Sequence, residues 1–213
     1  AVPHVNGDNA QLEATTKFLQ SGFITVDIFA ASPVAENKGQ TEMRRRTADN
    51  SPTLMSTFAV GEEAEQSGQV LIREVGKIAA PINQAGVRFQ RGSTVRLDVV
   101  VRTRKIGHFF PGGTVDAFDI WLELQGKDAD GKVVFWNGAV EDDGGAHFYR
   151  SYQLDGDGNM INKRNAWQAR SVLYVRMIPP GAADTAHYRV KIPRDARGPL
   201  SLTAKLHYRK FSH

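Results

Sequence analysis

Three sets of residues have the types and spacing to do chemistry. The first is the imidazole of His108, within Ile106-Gly107-His108-Phe109-Phe110-Pro111-Gly112-Gly113-Thr114. Proline fixes φ and glycine permits positive φ, so Pro111-Gly112-Gly113 marks a sharply turned loop. A plain strand reversal needs only about two to five residues. This longer connection carries two phenylalanines and a histidine, so it is expected to pack on something. Imidazole is the commonest protein metal ligand. His108 is therefore either a loop histidine satisfied by a backbone carbonyl or a metal or haem axial ligand. His4 lies in a comparable Gly/Asn-rich context, and His147 follows Gly144 and Gly145.

The second set is Asp155-Gly156-Asp157-Gly158-Asn159. Oxygen ligands at alternate positions in a glycine-rich loop are how calcium loops begin, which makes Asp155, Asp157 and Asn159 candidate calcium ligands. The EF-hand pattern fails, because Met160 and Ala166 stand where it needs Gly and Glu. The alternative is a β-turn built on Asp-Gly chemistry. Asp128 and Asp130 form a shorter version, and Glu141, Asp142 and Asp143 an acidic patch. The third set is aromatic: Trp121, Trp136 and Trp167 with Tyr149, Tyr152 and Tyr174. Such rings either stack on sugars or cover the outside of a sheet.

Other chemistry is excluded by what is missing from the sequence. With no cysteine there is no disulfide, thiolate metal site, cysteine nucleophile or C-x-x-C-H haem attachment. No G-x-S-x-G elbow, P-loop or G-x-G-x-x-G helix start occurs. The chain is expected not to be an enzyme. A net charge of +4 is mildly basic, and Arg44-Arg45-Arg46 is the only basic cluster. Basic and aromatic residues are not interleaved, so no nucleic-acid partner is expected. No apolar run reaches the roughly 18 residues of a membrane span. The chain opens on Ala1 without an initiator methionine or signal peptide, as a mature or excised product does.

The elements that must position these groups are mostly strands. Asp8 or Asn9 can cap a helix, with Gln11 at capping-box spacing from Asp8 and Leu12, Thr15, Thr16 and Leu19 on one stripe. Ser21-Gly22 ends it, so residues 1–22 form an N-terminal helical segment, expected to cover an edge or end of the sheets. Alternation predicts strands at Phe23–Ala30, Thr94–Thr103, Phe118–Leu124, Lys132–Trp136, Val172–Ile178, His187–Ile192 and Leu200–Tyr208. Thr57–Val60 and Val70–Val75 are weaker candidates. Residues 32–55 read as an insertion-like loop. Short alternating strands with Gly/Pro/Asp turns predict an all-β fold: one domain over residues 1–213, an antiparallel β-sandwich (immunoglobulin-like or jelly-roll-like) with one short N-terminal helix.

In chain order, His4 before Gly7-Asp8-Asn9, Val26-Asp27-Ile28-Phe29, Gly107-His108-Phe109-Phe110-Pro111-Gly112-Gly113, and Trp121-Leu122-Glu123-Leu124 with Asp128-Ala129-Asp130-Gly131-Lys132 form a recurring series. His147-Phe148-Tyr149, Leu154 to Gly158, Ile178-Pro179-Pro180-Gly181 and Leu206 to Phe211 complete it. Together they resemble the β-rich region that follows the haem-binding part of large bacterial multihaem c-type cytochromes. The resemblance spans most of the chain except residues of about 32–90. It implies a periplasmic or extracellular, non-catalytic scaffold or interaction domain of an electron-transfer protein. Its partner would be a multihaem cytochrome domain or chain, with His4 and His108 as candidate distal haem ligands. The departure is the absence of C-x-x-C-H, so no haem is expected to be covalently bound. A calcium- or other metal-binding extracellular module and a carbohydrate-binding module are the competing expectations.

Overall fold

The computed structural model describes residues 2–34, 44–46, 52–54, 69–70, 78–113, 118–139, 146–161 and 165–209. Two helical pieces come first, α1 (Val2–Val5) and α2 (Asn9–Leu19). Twelve strands follow: β1 (Ile24–Pro33), β2 (Arg44–Arg46), β3 (Pro52–Leu54), β4 (Gln69–Val70), β5 (Thr94–Thr103) and β6 (Asp119–Lys127). The remainder are β7 (Val133–Asn137), β8 (His147–Phe148), β9 (Ser151–Leu154), β10 (Ser171–Val175), β11 (Ala183–Lys191) and β12 (Ser201–Arg209).

Two antiparallel sheets make the sandwich. One has the order β1-β5-β11; the other has the order β12-β6-β7, with β8 also paired to β6. The pattern of β5 explains why it is central. Val95, Leu97, Val99 and Val101 point inward and are at most 2% exposed, while Thr94, Arg96, Asp98 and Arg102 point outward. From the opposite sheet Ile120, Leu122 and Leu124 of β6 meet them, equally buried. Burying each such side chain contributes about 1.5–3 kcal/mol, which fixes the register, since a one-residue slip would turn every one outward.

The core thins toward one side. Val26 and Ile28 of β1, and Leu202 and Ala204 of β12, point inward but stay only partly buried. Between these two strands runs an open groove of about 430 Å³, lined also by Asp27, Ile82 and Thr203.

The all-β sandwich with a short N-terminal helix is therefore found. β6 is buried on both faces, its outward Trp121 and Glu123 being only 6% and 4% exposed, as the covering reading of the aromatic set has it. Other elements depart locally from expectation. The strand expected at Val172–Ile178 ends at Val175 and pairs with β9 in a separate two-stranded ribbon. Within the expected loop 32–55, residues 32 and 33 belong to β1, while β2 and β3 pair with each other and β2 also with β4. The strand expected at Thr57–Val60 and all but the first residue of Val70–Val75 lie outside the described residues. The helix is placed and capped as expected, the Asp8 carboxylate accepting from the Gln11 amide at 2.9 Å. It does not cover the sandwich: none of its residues is buried, and Phe18 and Leu19 are 62% and 60% exposed.

Candidate functional site

The loop after β5 is pinned from below and open above. At its start the Thr103 hydroxyl donates to the Pro179 carbonyl at 2.7 Å. Farther on, the Phe110 amide donates to the Ile178 carbonyl at 2.8 Å and the Ile178 amide returns a bond to the Phe110 carbonyl at 2.6 Å. Pro111 is buried, and the Phe110 ring leans on Tyr149 with centroids 6.1 Å apart. What lies between these anchors is pushed outward: His108 is exposed and Phe109 is 51% exposed.

The orientation of the His108 ring is fixed locally. Its Nδ1 lies 2.7 Å from the Phe109 carbonyl oxygen. A carbonyl can only accept, so Nδ1 carries the proton and the neutral ring keeps its lone pair on Nε2. Metal-bound histidines use this device, the non-ligating nitrogen donating to a carbonyl or carboxylate. The ring also rests on Gly112, where a Cβ would stand 2.6 Å from His108 Cε1. Only glycine leaves room for the imidazole in this pose.

Beneath the loop, β8, β11 and the segment after β10 bring together a polar cluster. His147 Nε2 lies 2.8 Å from Asp184 Oδ2, and Arg176 Nη1 is 2.9 Å from His147 Nδ1. Nη1 is also 3.1 Å from His147 Nε2, so the guanidinium lies across the ring, while the Nε2 proton is donated to Asp184. The hydrogen bond from His147 holds the Asp184 carboxyl below the usual carboxylate range. Tyr149 is fully buried, its ring edge against His147 with centroids 5.2 Å apart. Burial, and then the Asp184 charge, push its phenol far above its ordinary range. The Tyr149 hydroxyl has no aligned hydrogen bond.

The other candidates fall in separate places. His4 sits on α1 and is exposed. Asp155 closes a turn: its Oδ1 accepts from the Asp157 amide at 3.0 Å and the Asn159 amide at 2.8 Å, chiefly the latter lowering its pKa. This is the Asx geometry of the β-turn alternative. Asp128 Oδ1 does the same for the Asp130 and Lys132 amides, both at 3.0 Å, closing the β6–β7 hairpin. Among the described residues no three His, Asp or Glu side chains converge on a metal-sized point. The patch at Glu141 to Asp143 lies outside the described residues.

Trp121 is not a platform for sugars. Its indole N–H donates to the Gly138 carbonyl at 3.0 Å and its ring stacks on His207 with centroids 4.9 Å apart. Beside it, Glu123 accepts from the Trp136 indole at 3.1 Å and pairs with His207 and, at 3.7 Å, with Lys205. Neither this cluster nor that of His147, Asp184 and Arg176 was foreseen. The alternation of β6 marks Glu123 as outward, but only its cross-strand register with Lys205 says what meets it.

No protein-family model matches the chain, and no curated protein matches it either. Among solved structures it is similar to a penta-heme cytochrome c552 from Thermochromatium tepidum, at 20% identity and a TM-score of 0.44. That match takes in 58% of this chain and 30% of the cytochrome chain.

Proposed function

We propose that this chain is a non-catalytic β-sandwich that docks against a haem-bearing partner and presents His108 as a distal ligand to the iron. The single observation that carries this is the hydrogen bond from His108 Nδ1 to the Phe109 carbonyl at 2.7 Å on an exposed ring. It fixes the tautomer that offers Nε2 outward, on a loop tied down at Phe110. The motif series from His4 to Phe211 supports the same reading, through its resemblance to the β-rich region of multihaem cytochromes. Exposed Phe109 supplies an apolar contact suited to a porphyrin edge. The domain's part is then to position a ligand and tune the iron's coordination; the partner carries the electrons.

The test uses a c-type haem peptide that keeps its own proximal histidine and has an open sixth position. Adding the protein is expected to convert its ferric spectrum from high-spin to low-spin at concentrations where free imidazole does not. His108→Ala should abolish the conversion. Gly112→Ala should weaken it, because the added Cβ displaces the ring from its carbonyl, while the folded β-sheet spectrum is retained. If His108→Ala converts the haem as well as the parent protein does, the reading is wrong.

A further inference from the structure

The two outer faces of the sandwich treat their cations differently. On the β12-β6-β7 sheet, Arg209 is bound to Asp119 at 2.7 Å and Lys205 lies 3.7 Å from Glu123, and only Lys127 at the end of β6 has no ion pair with a described residue. On the β1-β5-β11 sheet the outward row of β5 carries Arg96 and Arg102, and Arg104 continues it past the strand end. The outward row of β11 carries His187, Arg189 and Lys191, all exposed. Arg96 and His187 both bind Asp98, at 2.7 and 2.8 Å. Arg102, Arg104, Arg189 and Lys191 form no ion pair with any described residue.

The register adds a cost. Arg189 stands directly opposite Arg96, and like charges in that relation destabilise a sheet. A ten-residue strand spans about 33 Å, so these cations form a strip along two neighbouring strands, the centre of a larger contact. Such a field attracts and orients an anionic surface.

We propose that the outer face of the β1-β5-β11 sheet docks the acidic surface of a protein partner. The chemistry favours protein over the other polyanions. Asp98 and the exposed Asp27 interrupt the field and leave separate cations, which suit spaced side-chain carboxylates better than the denser charge of a phosphate backbone. The strands of this face carry no exposed tryptophan or tyrosine on which bases could stack, and one large exposed apolar side chain, Phe29, for a lipid surface. The inference goes beyond the haem reading and survives its failure, because His108→Ala leaves this face unchanged.

The experiment measures binding of the full chain to three probes: poly-L-glutamate, a DNA duplex and phosphatidylglycerol vesicles. Poly-L-glutamate is expected to bind most tightly and to weaken about tenfold as salt rises through the physiological range. Arg102→Glu with Arg189→Glu should weaken it at least about tenfold, and the neutral pair Arg102→Gln with Arg189→Gln by less. Lys127→Glu, on the opposite sheet, should leave it unchanged. Circular dichroism confirms that each variant is folded. Failure to bind poly-L-glutamate at low salt, indifference to the reversal, or tighter binding of the duplex or the vesicles would each overturn the proposal.

Discussion

Single residues in this chain act through what they exclude. Gly112 is a surface for an imidazole, and Gly138, at φ +73° with a Cβ position 2.4 Å from the Leu122 carbonyl oxygen, lets the backbone at the end of β7 come close enough to accept from the Trp121 indole. Asp184 works through charge. The hydrogen bond from His147 lowers its folded pKa below that of the unfolded chain, so it stabilises the fold above the unfolded value and loses that contribution as pH falls through the folded one. The expected outcome is a urea midpoint that declines as pH drops below about 4. Asp184→Asn should show a shallower decline from a lower starting point, and equal slopes in the two proteins would rule out this role. The residue pairs involved were not legible in the sequence. His147 and Asp184 are 37 positions apart, and Glu123 and His207 are 84 apart. Composition and periodicity say that such groups exist; strand pairing brings Glu123 to His207, and the packing of one sheet on the other brings His147 to Asp184.

At the scale of elements, period-two alternation was enough to locate the six longer strands of the two main sheets. It works because the inner face is apolar from Val95 to Val101 in β5 and from Ile120 to Leu124 in β6. It fails where strands are too short to show a period, as at β8 with its two residues. At β10 it finds the strand but not its end or its sheet, because Val172, Leu173 and Val175 are all more than half exposed and show no inner face. The helix teaches a different lesson. Its cap was readable because Asp8 and Gln11 are local, but amphipathicity names a face and not a partner. Since α2 buries nothing, deleting residues 2–20 should move the sandwich's thermal midpoint by no more than about 2 °C, in line with the small effects of changes away from a core. A loss of about 5 °C or more, read by near-ultraviolet circular dichroism, would mean that the helix braces the sheets.

The whole molecule is a sandwich with unlike sides. Its loop corner holds His108 above a partly buried polar cluster, one broad face carries four cations with no ion pair among the described residues, and the other face pairs Lys205 and Arg209. That the Gly107 to Gly113 corner packs on something was anticipated from its length and aromatic residues, and Phe110 and Pro111 do so. The charge difference between faces was not anticipated, because it depends on which residues share a sheet. A docking role would use both features at once, with long-range attraction at the cationic face and short-range coordination at the histidine.

The groove between β1 and β12 has a consequence for motion. Strands whose inner side chains are only partly sealed can come away from their neighbours without melting the centre, at a lower cost than complete unfolding. Deuterium should therefore enter the hydrogen-bonded amides of β12 well before those of β5, by at least about tenfold in rate. Were the two to exchange together, the structure would open all at once and not like a book along its unglued edge.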